Sequence, residues 1–148
     1  MVKLFSAILI SALAVAYNEP SNQKDKCTLS VEFTDFRSDA GKLFIFIYNY
    51  ENQYPDNPYR HYSIDKSLVR NNRLLVNIND LNKGKYALSI LDDENANEDL
   101  DRFLGIPTEG YGFSNNVRPI LSMPAYEDIL FDLNQKWLKL DLQLQYAL

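Results

Sequence analysis

The chain has 148 residues, a formal net charge of −5, one cysteine, one histidine, and ten tyrosines and eight phenylalanines among its 46% hydrophobic residues. An acidic chain without a Lys/Arg cluster is a poor partner for nucleic acid, where affinity rests on neutralising phosphates. Cys27 has no second cysteine to pair with, so an internal disulfide is excluded and stability must come from packing.

Residues 1–16, MVKLFSAILISALAVA, carry one cation at Lys3, an apolar run from Leu4 to Val15, and Ala-Val-Ala at the end. This is the layout of a cleaved secretory signal. The run is too short to cross a bilayer, which needs roughly 20 apolar residues. Processing near Tyr17 would leave a polar, disordered lead-in over 17–26 and one domain over 27–148, located in the periplasm or outside the cell. No cysteine lies at the cleavage point, so no lipid anchor and no transmembrane segment are expected in the mature chain.

Thr28–Phe36 alternates, with Leu29, Val31 and Phe33 on one face and Ser30, Glu32 and Thr34 on the other. A period of two predicts a strand with one wet face. Lys42–Tyr50 is apolar on both faces, as a central strand covered on both sides would be. Pro55 and Pro58 each remove a ladder donor, so Glu51–Arg60 reads as a loop. Ile64–Val69 is a weakly patterned edge strand, and Leu74–Ile78 is a clearer strand. A Gly84 turn feeds the alternating Tyr86, Leu88 and Ile90, and a Tyr opening such a strand commonly ties a sandwich corner to nearby backbone. Tyr126–Leu133 is mixed. In Trp137–Tyr146, Leu138, Leu140, Leu142 and Leu144 alternate with charged and amide residues and are expected to form a continuous inward row. About seven short strands and no helical period predict an all-β fold, an antiparallel β-sandwich of immunoglobulin or prealbumin type with one long ordered loop.

That loop is Asp92–Asn116. Oxygen-bearing side chains recur at every second position, Asp93, Asn95, Asn97, Asp99 and Asp101. Hard cations such as Ca²⁺ take their ligands at this spacing. Glu98 stands where a Gly would ease the bend, and Leu104 where a bidentate Glu is expected; Glu109 is a substitute from further along. The alternative is a solvated turn whose Asx side chains bond their own backbone. Glu109, Tyr111, Ser114, Asn115 and Asn116 are candidate ligand-binding residues, offering aromatic faces beside hydrogen-bonding groups. The alternative there is that Ile106 and Phe113 plug the sandwich end while the asparagines bond the loop to itself.

Catalytic signatures are missing: His61 has no sequence partner, and there is no nucleophile elbow, zinc motif or phosphate loop. Carboxylate pairs for glycoside hydrolysis could be drawn from Asp92, Asp99 and Glu109. The chain therefore reads as a monomeric, exported binding or structural domain without catalysis. Ca²⁺ is the one cofactor to consider, and a saccharide or an envelope protein the candidate partner. The competing readings are a carboxylate-based hydrolase of neutral saccharides and an accessory subunit of an envelope complex.

The segments DENAN…LD, LGIPTEGYGFSNN and PAYEDILFDL, with VEFTDFRSDAGKLFIFIYN, YPDNP and LNKGKYALSILDDEN before them, resemble a family of exported bacterial domains of unknown function numbered twenty-one forty-one. The resemblance covers roughly residues 28–146. It implies a secreted or periplasmic β-sandwich and no defined activity. Members usually read His-Asp-Glu-Asn-Gly-Asn-Gly before the Leu-Asp pair; here Asp92 replaces the His, and Ala96 and Glu98 replace the two Gly.

Overall fold

The structure, a computed structural model, describes residues 26–119 and 122–147. The expected signal peptide and the lead-in up to residue 25 lie outside the described residues. Ten strands follow in order: β1 (Cys27–Thr34), β2 (Lys42–Tyr48), β3 (Arg60–Asp65), β4 (Arg73–Leu81), β5 (Gly84–Asp93), β6 (Arg102–Phe103), β7 (Ile106–Pro107), β8 (Gly110–Phe113), β9 (Leu130–Leu133) and β10 (Trp137–Gln143). One sheet has the order β10-β1-β4; the other runs β3-β2-β5-β8, with β9 also paired to β5. β6 and β7 make a separate small ribbon. Every pairing is antiparallel except β1 with β10.

β9 pairs with Gly84–Ala87 and β8 with Ser89–Asp92, so these two short strands share one lane beside β5. With the ribbon set apart, the lanes match the roughly seven strands expected. The core forms where the alternating rows meet: Leu29, Val31 and Phe33 of β1 face Leu43, Ile45 and Ile47 of β2, with Leu88 and Ile90 of β5 beside them. All are fully or nearly fully buried. Each contributes about 1.5–3 kcal/mol through the apolar surface it takes out of water. The Tyr86 hydroxyl donates to the Asn82 carbonyl at 2.9 Å, the corner tie expected of a Tyr at this place.

The structure departs from the sequence reading in three places. The edge strand is Arg60–Asp65, not Ile64–Val69, and the chain then enters a 3-10 turn, Lys66–Leu68. Its exposed row, His61, Ser63 and Asp65, alternates with half-buried Arg60, Tyr62 and Ile64. The nearby prolines and the polar termini of Arg60 and Tyr62 hide that period. β5 runs on through Asp92 and Asp93, both completely buried, so the loop begins two residues later than the acidic composition implies. Leu138 and Leu140 are only half-buried because β10 lies at a sheet edge, whereas Leu142 and Leu144 are in the core.

β2 is central, and its second face is not left to water. Tyr48, Ala87, Phe113, Tyr126 and Ile129 form a second apolar cluster on the outer face of that sheet. The Tyr48 hydroxyl donates to the Pro55 carbonyl at 2.8 Å and pins the proline loop over this face. Tyr54 packs edge-on against Tyr48, with ring centroids 5.2 Å apart, and donates to the Pro124 carbonyl. Burial raises the Tyr48 phenol and pushes the Tyr54 phenol up to about 12, so both remain hydroxyl donors across the neutral range.

Candidate functional site

Next to this outer cluster lies a cleft of about 700 Å³. Its base is the outward row of three neighbouring strands: Phe46 of β2, Ser89 and Leu91 of β5, and Tyr111 and Phe113 of β8. Pro55, Asp56 and Pro58 of the proline loop line it, as do Leu100, Arg102 and Leu104–Pro107 at the ribbon, and Pro119, Ser122 and Met123. The surroundings are mainly apolar, with few polar groups, as small-molecule sites are. At the ribbon, Leu104 is 87% exposed and Phe103 63% exposed, with Ile106 and Met123 about half exposed.

The Gly-Tyr-Gly-Phe sequence of β8 follows from what lies behind it. Side chains at 110 and 112 would point into the sandwich. A Cβ on Gly110 would come within 2.5 Å of the Tyr146 ring and 2.9 Å of the Asp92 Cβ, and one on Gly112 within 2.7 Å of Leu142. Only glycine leaves room for the chain after β10, and the alternate positions, Tyr111 and Phe113, then face the cleft side. The backbones of Tyr111 and Gln145 exchange two hydrogen bonds, at 2.9 and 2.8 Å, which joins the chain after β10 to the second sheet.

Between β5 and the ribbon, the acidic turn is held by its own oxygens. Asp93 accepts from the backbone N–H of Asn97 and Glu98, Asn95 from Asn97, Asn97 from Asp99, and Asp99 from Leu100. The Asn95 and Asn97 amides converge on the two Asp101 oxygens, at 2.5 and 3.0 Å. Ala96 and Glu98, the residues standing where the family has glycine, both have positive φ, 59° and 67°. Among the described residues, no three Asp, Glu, His or Cys side chains gather as a cation-binding group.

The remaining candidates are distributed differently from a single ligand surface. Glu109 is buried and accepts from the backbone N–H of Glu94 and Asp101, bridging the start and end of the acidic turn. Burial holds its carboxyl above the usual range, against the pull of those two donors. Ser114 is buried, accepting from Leu88 N–H and donating to the Ile129 carbonyl. The Asn115 amide donates to the Asp128 and Leu130 carbonyls, and Asn116 bridges the backbone of Asp141 and Gln143. These asparagines bond the loop to β9 and β10, not to itself. Of the five proposed ligand residues, Tyr111 alone lines the cleft. Phe113 plugs the outer layer, and Ile106 stays half exposed at the ribbon instead of closing the sandwich end.

Phe46, Ser89, Leu91 and Met123 are cleft residues the sequence reading passed over. The signal for the first was available, because Lys42–Tyr50 is apolar on both faces and something has to cover the second. Asp92 and Glu109 are both buried inside the fold and Asp99 sits in the exposed turn, so these carboxylates do not face one another across open space.

An all-β sandwich with an apolar cleft on one outer face defines the class. The chain belongs to the family described as "Uncharacterized protein conserved in bacteria (DUF2141)", whose model matches residues 31–140. No curated protein and no solved structure matches the chain. Among the described residues, no helix is long and apolar enough to cross a membrane.

Proposed function

We propose that this protein is an exported, non-enzymatic binding domain whose ligand site is the cleft on the outer face of the β3-β2-β5-β8 sheet. The observation that carries the reading is the cleft itself: about 700 Å³, based on Phe46, Leu91, Tyr111 and Phe113 and lined by few polar groups. Its size suits a small molecule with an aromatic or branched apolar body. Among the described lining residues, Asp56 is the sole carboxylate, which argues against the paired acids of a glycoside hydrolase. The apolar signal-like segment at residues 1–16 is the support for export.

Ca²⁺ belongs to this reading as a brace for the cleft rather than as part of its lining. The observation favouring it is the convergence of Asn95 and Asn97 on Asp101. Turning those two amides over would bring their oxygens to a point that already holds both carboxylate oxygens. An ion there would stiffen the stretch leading into Leu100 and Arg102, which line the cleft.

Fluorescence enhancement of an anilinonaphthalene sulfonate probe tests the cleft. Leu91→Glu puts a negative charge on its base without touching the inner core, and it should lose most of the enhancement while keeping the wild-type fold by circular dichroism. Equal enhancement in the folded variant would move the ligand site elsewhere. A second reading, docking of an envelope partner, is favoured by the exposed Phe103, Leu104 and Ile106 at the ribbon.

A further inference from the structure

At the end of the sandwich where the acidic turn begins, Lys66 and Asp92 meet inside the protein, both with side chains 0% exposed. Lys66 enters from the turn after β3, and Asp92 projects inward from β5. The Nζ lies 2.5 Å from Oδ1. No other group hydrogen-bonds to either atom, so the amine and this carboxyl oxygen are left to each other. The Phe36 ring, 5.6 Å from Nζ, is the apolar neighbour on that side. The other oxygen, Oδ2, is held by the Tyr146 hydroxyl at 2.5 Å. Arg37 stacks on the Tyr146 ring at 4.5 Å and is held by the Glu94 carboxylate and the Thr108 carbonyl.

Two full charges in so dry a place are costly. A buried ion pair needs excellent geometry and additional hydrogen bonds to offset its desolvation, and Lys66 has none. Proton transfer within the pair, giving an amine beside a carboxylic acid, removes the charge separation. It also leaves a nucleophile against an electrophilic carbon.

We propose that Lys66 and Asp92 condense into an intramolecular isopeptide bond. One proton passes from the Lys66 ammonium to Oδ1, and the freed Nζ lone pair attacks Cγ. The developing charge falls on Oδ2, where Tyr146 donates its hydrogen bond, the arrangement that stabilises an oxyanion in acyl transfer. A second proton moves from Nζ to Oδ1, the Cγ–Oδ1 bond breaks, and one water leaves. Nζ keeps one hydrogen, Oδ2 becomes the amide oxygen, and no oxidant or further reactant is consumed. Burial already pushes the Asp92 carboxyl toward its protonated form, first through desolvation and against the pull of Lys66 and Tyr146. The product ties the end of edge strand β3 to β5, across the intervening β2, in a chain whose single cysteine allows no internal disulfide.

The test is peptide mapping of the full chain, purified in its folded state and then digested with trypsin under denaturing conditions. The expected product is residues 61–70, uncleaved after Lys66, joined to residues 86–102 and lighter than the two together by one water. Lys66→Met and Asp92→Ala should each abolish the branched species. Tyr146→Phe should give a mixture of branched and linear peptides, and complete branching in that variant would overturn the part assigned to Tyr146. A linear peptide ending at Lys66, recovered quantitatively from wild-type protein that had a cooperative thermal transition before digestion, would overturn the bond.

Discussion

Gly110 shows how a single missing side chain can specify a fold. Its Cβ would meet the Tyr146 ring at 2.5 Å, and that ring is fixed by the hydroxyl bond to Asp92 and the stacked Arg37. Gly110→Ala should therefore cost about 1–3 kcal/mol, as overpacking does, measured by urea unfolding. Gly84→Ala is the control, since its Cβ meets nothing closer than 3.8 Å, and it should be near neutral. Glu109 is the residue with a pH signature. Its folded-state carboxyl is raised, so the stability it contributes is in place below the ordinary value of 4.5 and lost as pH climbs through the raised value. Comparing wild type with Glu109→Gln from about pH 4 to about pH 8, the melting temperature should shift progressively in favour of the variant. A constant difference would mean Glu109 titrates as it does in the unfolded chain. At this scale the sequence was a partial guide. Tyr86 announces its corner bond through the preceding Gly turn, whereas Gly110 and Gly112 lie in a strand and are required by the close approach of Tyr146 and Leu142, which only the folded chain shows. Lys66 carried no local signal at all, because its burial depends on a partner 26 positions away that only the folded sheet brings near.

Among the elements, β10 has the clearest period and also the least even burial. Leu142 is 1% exposed and lies against Gly112, while Leu138 is half-buried at the same edge. Leu142→Ala should cost about 2–5 kcal/mol in chemical denaturation, and Leu138→Ala clearly less, because the deleted methyls leave a cavity only where neighbours enclose them. A period of two reports which residues share a face, but not how completely that face is covered. The acidic turn is the element whose use is decided by its surroundings. Its oxygens accept five hydrogen bonds from the backbone N–H groups of Asn97, Glu98, Asp99 and Leu100, that of Asn97 being shared between Asp93 and Asn95, so part of this bonding must be exchanged if an ion binds. Extracellular Ca²⁺ modules bind at about 10⁻⁴–10⁻³ M, and a tenfold excess over Kd adds about 1.4 kcal/mol. Wild type should melt several degrees higher in millimolar Ca²⁺ than in EDTA, and Asp101→Ala should melt alike in both. Equal melting of wild type would leave the turn as a purely hydrogen-bonded cap.

For the molecule as a whole, alternation in β1, β5 and β10, with a run apolar on both faces in β2, is enough to predict two sheets packed face to face. The outer layer was not legible in the same way. It is built from Tyr48, Tyr54, Tyr126 and Phe113, which come from a strand, a proline loop, a 3-10 turn and another strand, with no shared period. The cleft exists because this layer covers only part of the sheet. Its lining residues fall between 46 and 147 in the sequence, so no local window could reveal it.

The parallel pairing of β1 with β10 has a consequence for the order of events during synthesis. β1 emerges from the ribosome first among the described strands, but one of its two neighbours is the last to be made. Until residues 137–145 have cleared the exit tunnel, β1 has an open edge, Gly112 has no Leu142 against it, and Tyr111 has no backbone partner at Gln145. Translation must therefore finish these strands before the sandwich can close. Throughout that interval the nascent chain is a substrate for whatever holds, threads or degrades unfolded polypeptide.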